Sequence, residues 1–499
     1  MVDRDRQKNI SEMEGVEVDR PLKIHFIPYL ASGHMIPLCD IATLFASHGQ
    51  QVTIITTPSN VETLTKSLPS ILTLHTVDFP SEQVDLPKGI ESMSSTTDPI
   101  TSWKIHNGAM LLHGPIDDFV VNNPPDCIIA DSSYSWGNDL ARKLQVPNFT
   151  FNGSSLFAVS LMESLRKNNL LHTNSDSDSD SSSYVVPNFP HRITMCSKPS
   201  KVLSKFIGLM LDTVFKSTGY IINNFVELDG EECVQHYEKT TGHKAWHLGP
   251  TSFIQKNIQE KAGRGNEGAA SEHESLSWLN SQQVNSVVYI CFGSINHFFD
   301  KQLYEIACAV EGMGHPFIWV VPEKRGKEDE TEEEKEKWMP KGFEERNIGK
   351  KGLIIRGWAP QVKILSHPAV GGFMTHCGGN SIVEAVGAGV PMITWPCHGD
   401  HLFNEKLITQ VRGIGVEVGA TEWCTNGNGE RKKLVGRDGI EKAMRRLMDG
   451  GYEAENMRLR AREIGEKARR AVQEGGSSHN NLLSLIDEIK RFRDCKPHD

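Results

Sequence analysis

The sequence predicts an α/β protein with two Rossmann-like parallel-sheet domains in series, facing a central cleft. Three observations predict it. Strand-like apolar runs alternate with helical stretches in both halves of the chain. A polar stretch without apolar period, Gln255 to Glu274, separates the halves. At 499 residues the chain is also too long for one hydrophobic core.

The elements follow in order. Residues 1–20 are charged and read as a disordered tail. Leu22 to Ile27 is a β-branched and aromatic run, hence a strand. Ala31-Ser32-Gly33-His34 reads as a loop, Ile36 to Ser47 as a helix and Gln51 to Thr56 as a second strand. This is a βαβ unit. Further strands are expected at Leu72–Phe79, Asp126–Ala130, Pro147–Phe151 and Gly219–Phe225. Thr173 to Tyr184 is a low-complexity polar run and reads as a flexible surface loop. The first domain is expected over 21–254 and a linker over 255–275. A second domain over 276–477 then repeats the alternation. Its strands are expected at Ser286–Phe292, Pro316–Val321, Gly352–Arg356, Gly372–Thr375 and Val390–Trp395, and the chain ends in helices.

Composition excludes several classes. The net charge of −10 gives no basic footprint for nucleic acid. No run reaches the ~18 apolar residues of a spanning helix, and the N-terminus lacks an apolar signal core. The ten cysteines are scattered without metal-ligand spacing, which fits thiols in a reducing cytoplasm. Two glycosylation patterns, at Asn148 and Asn152, are read as chance.

The densest chemical signal runs from Trp358 to His401. The strand Gly372–Thr375 ends in His376-Cys377-Gly378-Gly379-Asn380-Ser381, and a helix follows. Glycines let the backbone turn sharply beside a ligand. Asn380 or Ser381 is suited to cap the helix. Free N–H groups and the positive helix end make an anion site, most naturally for phosphate. His376 adds a donor. Glu384, one turn on, is placed to accept from ribose hydroxyls, and Trp358 offers a flat face to a base. Together these features point to a nucleotide.

The same segment resembles the signature box of plant UDP-dependent glycosyltransferases of small molecules. Trp358-Ala359-Pro360-Gln361 opens it, His367-Pro368, Phe373-x-Thr375-His376-Cys377-Gly378 and Gly389-Val390-Pro391 follow, and Asp400 stands near its end. Outside the box, Ser32-Gly33-His34-Met35-Ile36-Pro37, Phe292-Gly293-Ser294 and Phe403-Asn404-Glu405-Lys406 are also similar to that family. The resemblance implies a GT-B fold: an acceptor-binding first domain, a UDP-sugar-binding second domain and a final helix, 478–499, packed back on the first. It implies that Trp358 stacks on uracil, whose edge the Ala359 backbone bonds, and that Gln361 and Glu384 hold the ribose. Ser294, His376, Gly378, Asn380 and Ser381 would bind the diphosphate, and Asp400 and His401 would face sugar hydroxyls. His34 would be the general base, oriented by Asp131. The expected reaction is inverting transfer to a hydroxyl without a metal ion or other cofactor. The partners would be a UDP-sugar and a small apolar acceptor, best a triterpenoid sapogenin or saponin, with a flavonoid or phenolic next. The enzyme would be a cytoplasmic monomer without membrane insertion.

Two positions depart from the family pattern. Gly379 stands where the family usually has Trp, and His401 where it usually has Gln. In the family, that Gln goes with glucose donors and His with galactose, so both sugars stay open, with a pentose behind them. Ser32 in place of an arginine argues against a glucuronate donor. Two other classes were weighed. A nicotinamide oxidoreductase is opposed by the first turn, which lacks G-x-G-x-x-G. A UDP-sugar-binding protein without catalysis rests on Gly379 alone.

Overall fold

The computed structural model describes residues 20–65, 68–96, 98–171, 183–253, 269–294, 298–323, 325, 330–421 and 433–495. The tail up to residue 19, the low-complexity run up to 182 and the linker up to 268 lie outside these.

β1 (Lys23–Ile27) leads into helix α1 (Ser32–Ser47) and then into β2 (Gln51–Thr56). The sheet grows outward through β3 (Thr73–Thr76) on one side. On the other side lie β4 (Cys127–Asp131) and β5 (Asn148–Asn152). A short antiparallel pair, β6 (Tyr184–Val185) and β7 (Thr194–Met195), stands apart from it. β8 (Gly219–Ile222) and β9 (Ala245–His247) complete the large sheet. Its order is β3-β2-β1-β4-β5-β8-β9, parallel throughout. Both faces are covered, as parallel sheets require. Ile24 and Phe26 face Leu38, Ile41 and Phe45 of α1, while Ile27 and Ala130 enter a separate cluster with Leu112 and Ile116.

The second sheet comprises β10 (Val287–Cys291), β11 (Phe317–Val321), β12 (Gly352–Arg356), β13 (Val370–Thr375), β14 (Met392–Thr394) and β15 (Gly415–Glu417). Its order is β12-β11-β10-β13-β14-β15, again all parallel. Helix α2 (Leu156–Lys167) of the first domain shares one apolar cluster with α3 (Gly379–Ala388) of the second, through Leu156, Leu161, Ile382 and Val386. Helix α4 (His401–Lys406) joins the same cluster through Phe403.

The last helix, α5 (Ser477–Asp494), returns to the first domain. Leu482, Leu485, Ile486 and Ile489 pack against Leu22, Phe26 and Trp246. Ser478 donates to the Gly249 carbonyl at 2.5 Å. Each buried Leu or Ile there contributes ~1.5–3 kcal/mol, so Leu485→Ala alone would loosen the attachment.

Three local expectations are corrected. The segment read as a loop at 31–34 is the start of α1, since the helix begins at Ser32 despite Pro37. The linker is shorter than 255–275, because a helix over Ala269–Asn280 occupies its end. Alanine and glutamate there are strong helix formers. The edge strands β9 and β15 were not foreseen. At three residues each they are too short to show a period. Asn148 and Asn152 are buried in β5, which removes them as glycosylation sites.

Candidate active site

In doubly wound sheets, ligands bind beyond the carboxyl ends of the strands, where the strand order reverses. Both sheets obey this here. In the first, β1 and β4 are neighbours whose following connections diverge to opposite sides. His34 stands in the helix turn after β1, and Asp131 is the last residue of β4. His34 Nδ1 lies 2.8 Å from Asp131 Oδ2. The Asp131 side chain is fully buried, and the imidazole keeps about a third of its surface, 32%, open. Asp131 Oδ1 accepts from the Ser133 N–H at 2.8 Å, which fixes the carboxylate. Burial of the His34 ring lowers its pKa. The Asp131 charge, the Asp131 hydrogen bond and Asp400 outweigh this and leave it above 6.5.

The second sheet reverses between β10 and β13. The Phe292-Gly293-Ser294 turn follows β10, and the His376 turn follows β13. Gly293 has φ +77°, and a Cβ there would sit 2.8 Å from the His376 ring. A Cβ on Gly378 would sit 2.4 Å from His376 Nε2. The imidazole is therefore clamped between two glycines. Burial pushes its pKa down to about 3, so His376 is a neutral donor rather than a cation. Cys377 stands at φ +68°, a conformation costing ~1–3 kcal/mol, and it turns the chain into α3.

The expected cap is corrected. The N-cap of α3 is Gly378, with no side-chain cap bond, so neither Asn380 nor Ser381 caps. Both have other work. Gln361 Nε2 donates to Ser381 Oγ at 3.0 Å and to Glu384 Oε2 at 2.7 Å. Tyr289 donates to Gln361 Oε1 at 3.4 Å. Gln361, Ser381 and Glu384 thus form one polar cluster. Trp358, half-buried, and Ala359, 8% exposed, precede it by two or three residues. Ser294 is exposed at the end of its turn.

Asn380 crosses the cleft. Its Nδ2 donates to the Gly33 carbonyl at 2.6 Å, and Asn223 donates to its Oδ1 at 3.2 Å. Beside it, a Cβ on Gly379 would lie 2.2 Å from the Gly153 carbonyl oxygen. The position where the resembled family carries Trp therefore has no room for a Cβ beside the Gly153 carbonyl of the first domain.

Asp400 heads α4 and accepts from Asn404 at 2.9 Å. Burial raises its pKa, opposed by hydrogen bonds from Asn404 and Ser154 and by the charge of His34. His401 is less open than a sugar-facing residue was expected to be. It is 5% exposed, and its Nδ1 accepts from the Cys397 and His398 N–H groups at 3.3 and 3.1 Å. Its ring stands edge-on to His376 at 4.8 Å.

The comparisons fit this arrangement. A model of the family described as UDP-glucoronosyl and UDP-glucosyl transferase matches residues 126–459. This chain belongs to that family. It is a UDP-glycosyltransferase with the two-domain GT-B fold. It is 44% identical to the UDP-glucosyl transferase 73CC6 of Saponaria officinalis, over 95% of this chain and 98% of that protein. It is 42% identical to the UDP-glucose flavonoid 3-O-glucosyltransferase 7 of Fragaria ananassa, over 94% and 96%. Among solved structures it resembles UGT73P12 of Glycyrrhiza uralensis, complexed with glycyrrhetinic acid 3-O-monoglucuronide. The TM-score is 0.85 at 36% identity, with 95% of this chain and 96% of that one covered.

Membership sets aside the nicotinamide reading. No helix of the described residues of this transferase is long and apolar enough to cross a membrane. Sequence reasoning missed four polar residues that adjoin the expected set: Tyr29 beside His34, His106 bonded to Tyr29, Ser154 bonded to Asp400 and Asn223 bonded to Asn380. None sits in a motif, and each joins the site only through the fold.

Proposed function

We propose that this transferase moves a hexose from a UDP-sugar to a hydroxyl of a small apolar natural product, with inversion. The acceptor class favoured is a triterpenoid sapogenin or saponin, and the donor favoured is UDP-glucose. The observation that carries the reading is the 2.8 Å His34–Asp131 pair at the reversal point of the first sheet, set against the His376 turn at that of the second.

The geometry supports each step. With Nδ1–H held by Asp131, His34 Nε2 carries the lone pair and takes the proton of the acceptor hydroxyl. The buried Asp131 carboxylate stabilises the imidazolium that forms. The acceptor oxygen bonds to the anomeric carbon as the bond to the UDP oxygen breaks. The electron pair leaves with the diphosphate. Its charge falls on the uncapped N-terminus of α3 and on the His376 N–H. Trp358 and Ala359 take the uracil, Gln361 and Glu384 the ribose, Ser294, Gly378, Asn380 and Ser381 the diphosphate, and Asp400 and His401 the sugar edge. A flat indole, a polar cluster with one carboxylate and a helix end suit those three parts in that order.

For the donor, both curated relatives reported above are named for glucose transfer, which favours glucose over galactose. For the acceptor, the structural neighbour was solved with a polycyclic terpenoid glucuronide. A flavonoid is the second reading, favoured by the name of the Fragaria relative. The test is incubation with UDP-glucose and UDP-galactose against sapogenin and flavonoid panels, with products read by mass spectrometry and anomeric couplings by NMR. A β-linked sapogenin glucoside is expected. An α-linked product would reject inversion, and turnover of flavonoids alone would reject the sapogenin.

A further inference from the structure

The wall beside His34 holds a second imidazole that the mechanism does not use. Tyr29 follows β1, and its ring stands edge-on to His34 at 5.7 Å. Its hydroxyl lies 2.8 Å from His106 Nδ1. His106 sits on the helix Pro99–Leu111, which Asp98 caps by accepting from the Thr101 N–H at 2.8 Å. One turn back on that helix, Trp103 stacks on the His106 ring at 5.5 Å and 26°. Trp103 is 64% exposed, unusual for a side chain that size, and Ile100 beside it is 69% exposed. Tyr134 packs on the other side of Tyr29, edge-on at 5.6 Å. One aromatic surface therefore runs from His34 through Tyr29 and His106 to Trp103.

The hydrogen bond sets the tautomer of His106. Tyr29 is buried, and His106 Nδ1 is the acceptor within reach of its hydroxyl among the described residues. A buried phenol that did not donate would leave its proton unpaired. The phenol therefore donates, and Nδ1 accepts. In a neutral imidazole the proton then sits on Nε2. Burial lowers the His106 pKa and raises that of Tyr29, so both stay neutral near pH 7. His106 Nε2 has no partner among the described residues and is not among the sealed polar atoms. It is a donor of fixed orientation within two ring spacings of the base.

We propose that His106 selects the acceptor: Nε2–H donates to a second oxygen on the acceptor, far from the hydroxyl held by His34, while Tyr29 lies along the apolar body between them and Trp103 flanks the far end. This rests on the reading of His34 as the base facing the acceptor. It narrows the acceptor class to apolar molecules oxygenated at both ends. A singly oxygenated skeleton leaves Nε2–H dry and unpaired, which is where discrimination arises.

The experiment compares two triterpenes of one shape. Oleanolic acid carries a hydroxyl at one end and a carboxyl at the other. β-Amyrin has a methyl in place of the carboxyl. Binding of each to the full chain saturated with UDP is measured by calorimetry. The wild type is expected to prefer the acid by about 10-fold. In His106→Phe, which keeps the ring stack, the ratio should fall towards one. His106→Gln, which keeps a side-chain N–H, should recover part of it. A general packing defect would weaken both ligands alike and leave the ratio standing, and that result would overturn the proposal. Equal binding of both by the wild type, or of neither, would also overturn it. Ring ¹⁵N shifts give a second check, because a proton on Nδ1 of His106 is incompatible with the argument. Failure of the functional reading shows separately, as no glycoside formed from any acceptor with UDP-glucose.

Discussion

Asn380 Nδ2 donates to the Gly33 carbonyl at 2.6 Å, and Pro37 is the reason that carbonyl is available. In α1 the Gly33 oxygen would ordinarily accept from the N–H four residues on. That residue is Pro37, which has none. The side chain from the phosphate turn of the second domain supplies the missing donor. The first helix turn of one domain and the first helix turn of the other are thus joined, one residue before His34.

Gly379 tests this contact. A Cβ there would lie 2.2 Å from the Gly153 carbonyl oxygen, a backbone atom that cannot swing away. Gly379→Ala is expected to cost ~1–3 kcal/mol and lower the melting temperature by about 2–12 °C. Calorimetry measures it. An unchanged melting temperature would mean that the domains already stand apart at this point in solution.

Under the proposed function, replacing His34 by Ala removes the base and leaves intact the residues assigned to UDP, which lie in the other domain. Turnover should fall ~10²–10⁴-fold with the UDP dissociation constant nearly unchanged. Steady-state kinetics and UDP titration check the two halves. Undiminished turnover would strip His34 of its role.

Asp131→Asn changes the pH profile. The base must be neutral, so kcat/KM rises with pH as His34 loses its proton. Burial lowers that pKa, but the Asp131 charge and hydrogen bond, with Asp400, hold it above 6.5. Without the Asp131 charge the acid limb should move to lower pH, while the plateau falls through loss of ring orientation. A limb that stays in place would show that another group controls it.

His401→Gln replaces a buried ring with an amide whose oxygen can accept from the same two N–H groups. The ratio of glucose to galactose transfer should rise, measured in competition with both donors. A constant ratio would show that this buried residue does not choose the sugar.

Much of the fold was legible in the chain order alone. Gly352–Arg356 and Gln51–Thr56 are strands at the predicted residues, because short runs rich in aliphatic residues suit strands buried on both faces. The Gly-rich turn after β13 was equally plain, since glycine demands are local. Helix starts were less so. α1 opens at Ser32 although Pro37 leaves the Gly33 carbonyl without its helical donor, and the donor that meets it comes from the other domain, which no local signal carries.

What the sequence determined by itself was the alternation of elements and the Gly-rich turn after β13, both set by neighbours within a few residues. Only the tertiary structure decided which side chains meet. Asp131 reaches His34 across 97 positions, Tyr29 reaches His106 across 77, and Asn380 reaches Gly33 across 347. The physical reason is that hydrogen bonds and packing act over a few ångströms of space. Sheet order and the closure of two domains, not spacing along the chain, bring those atoms within reach.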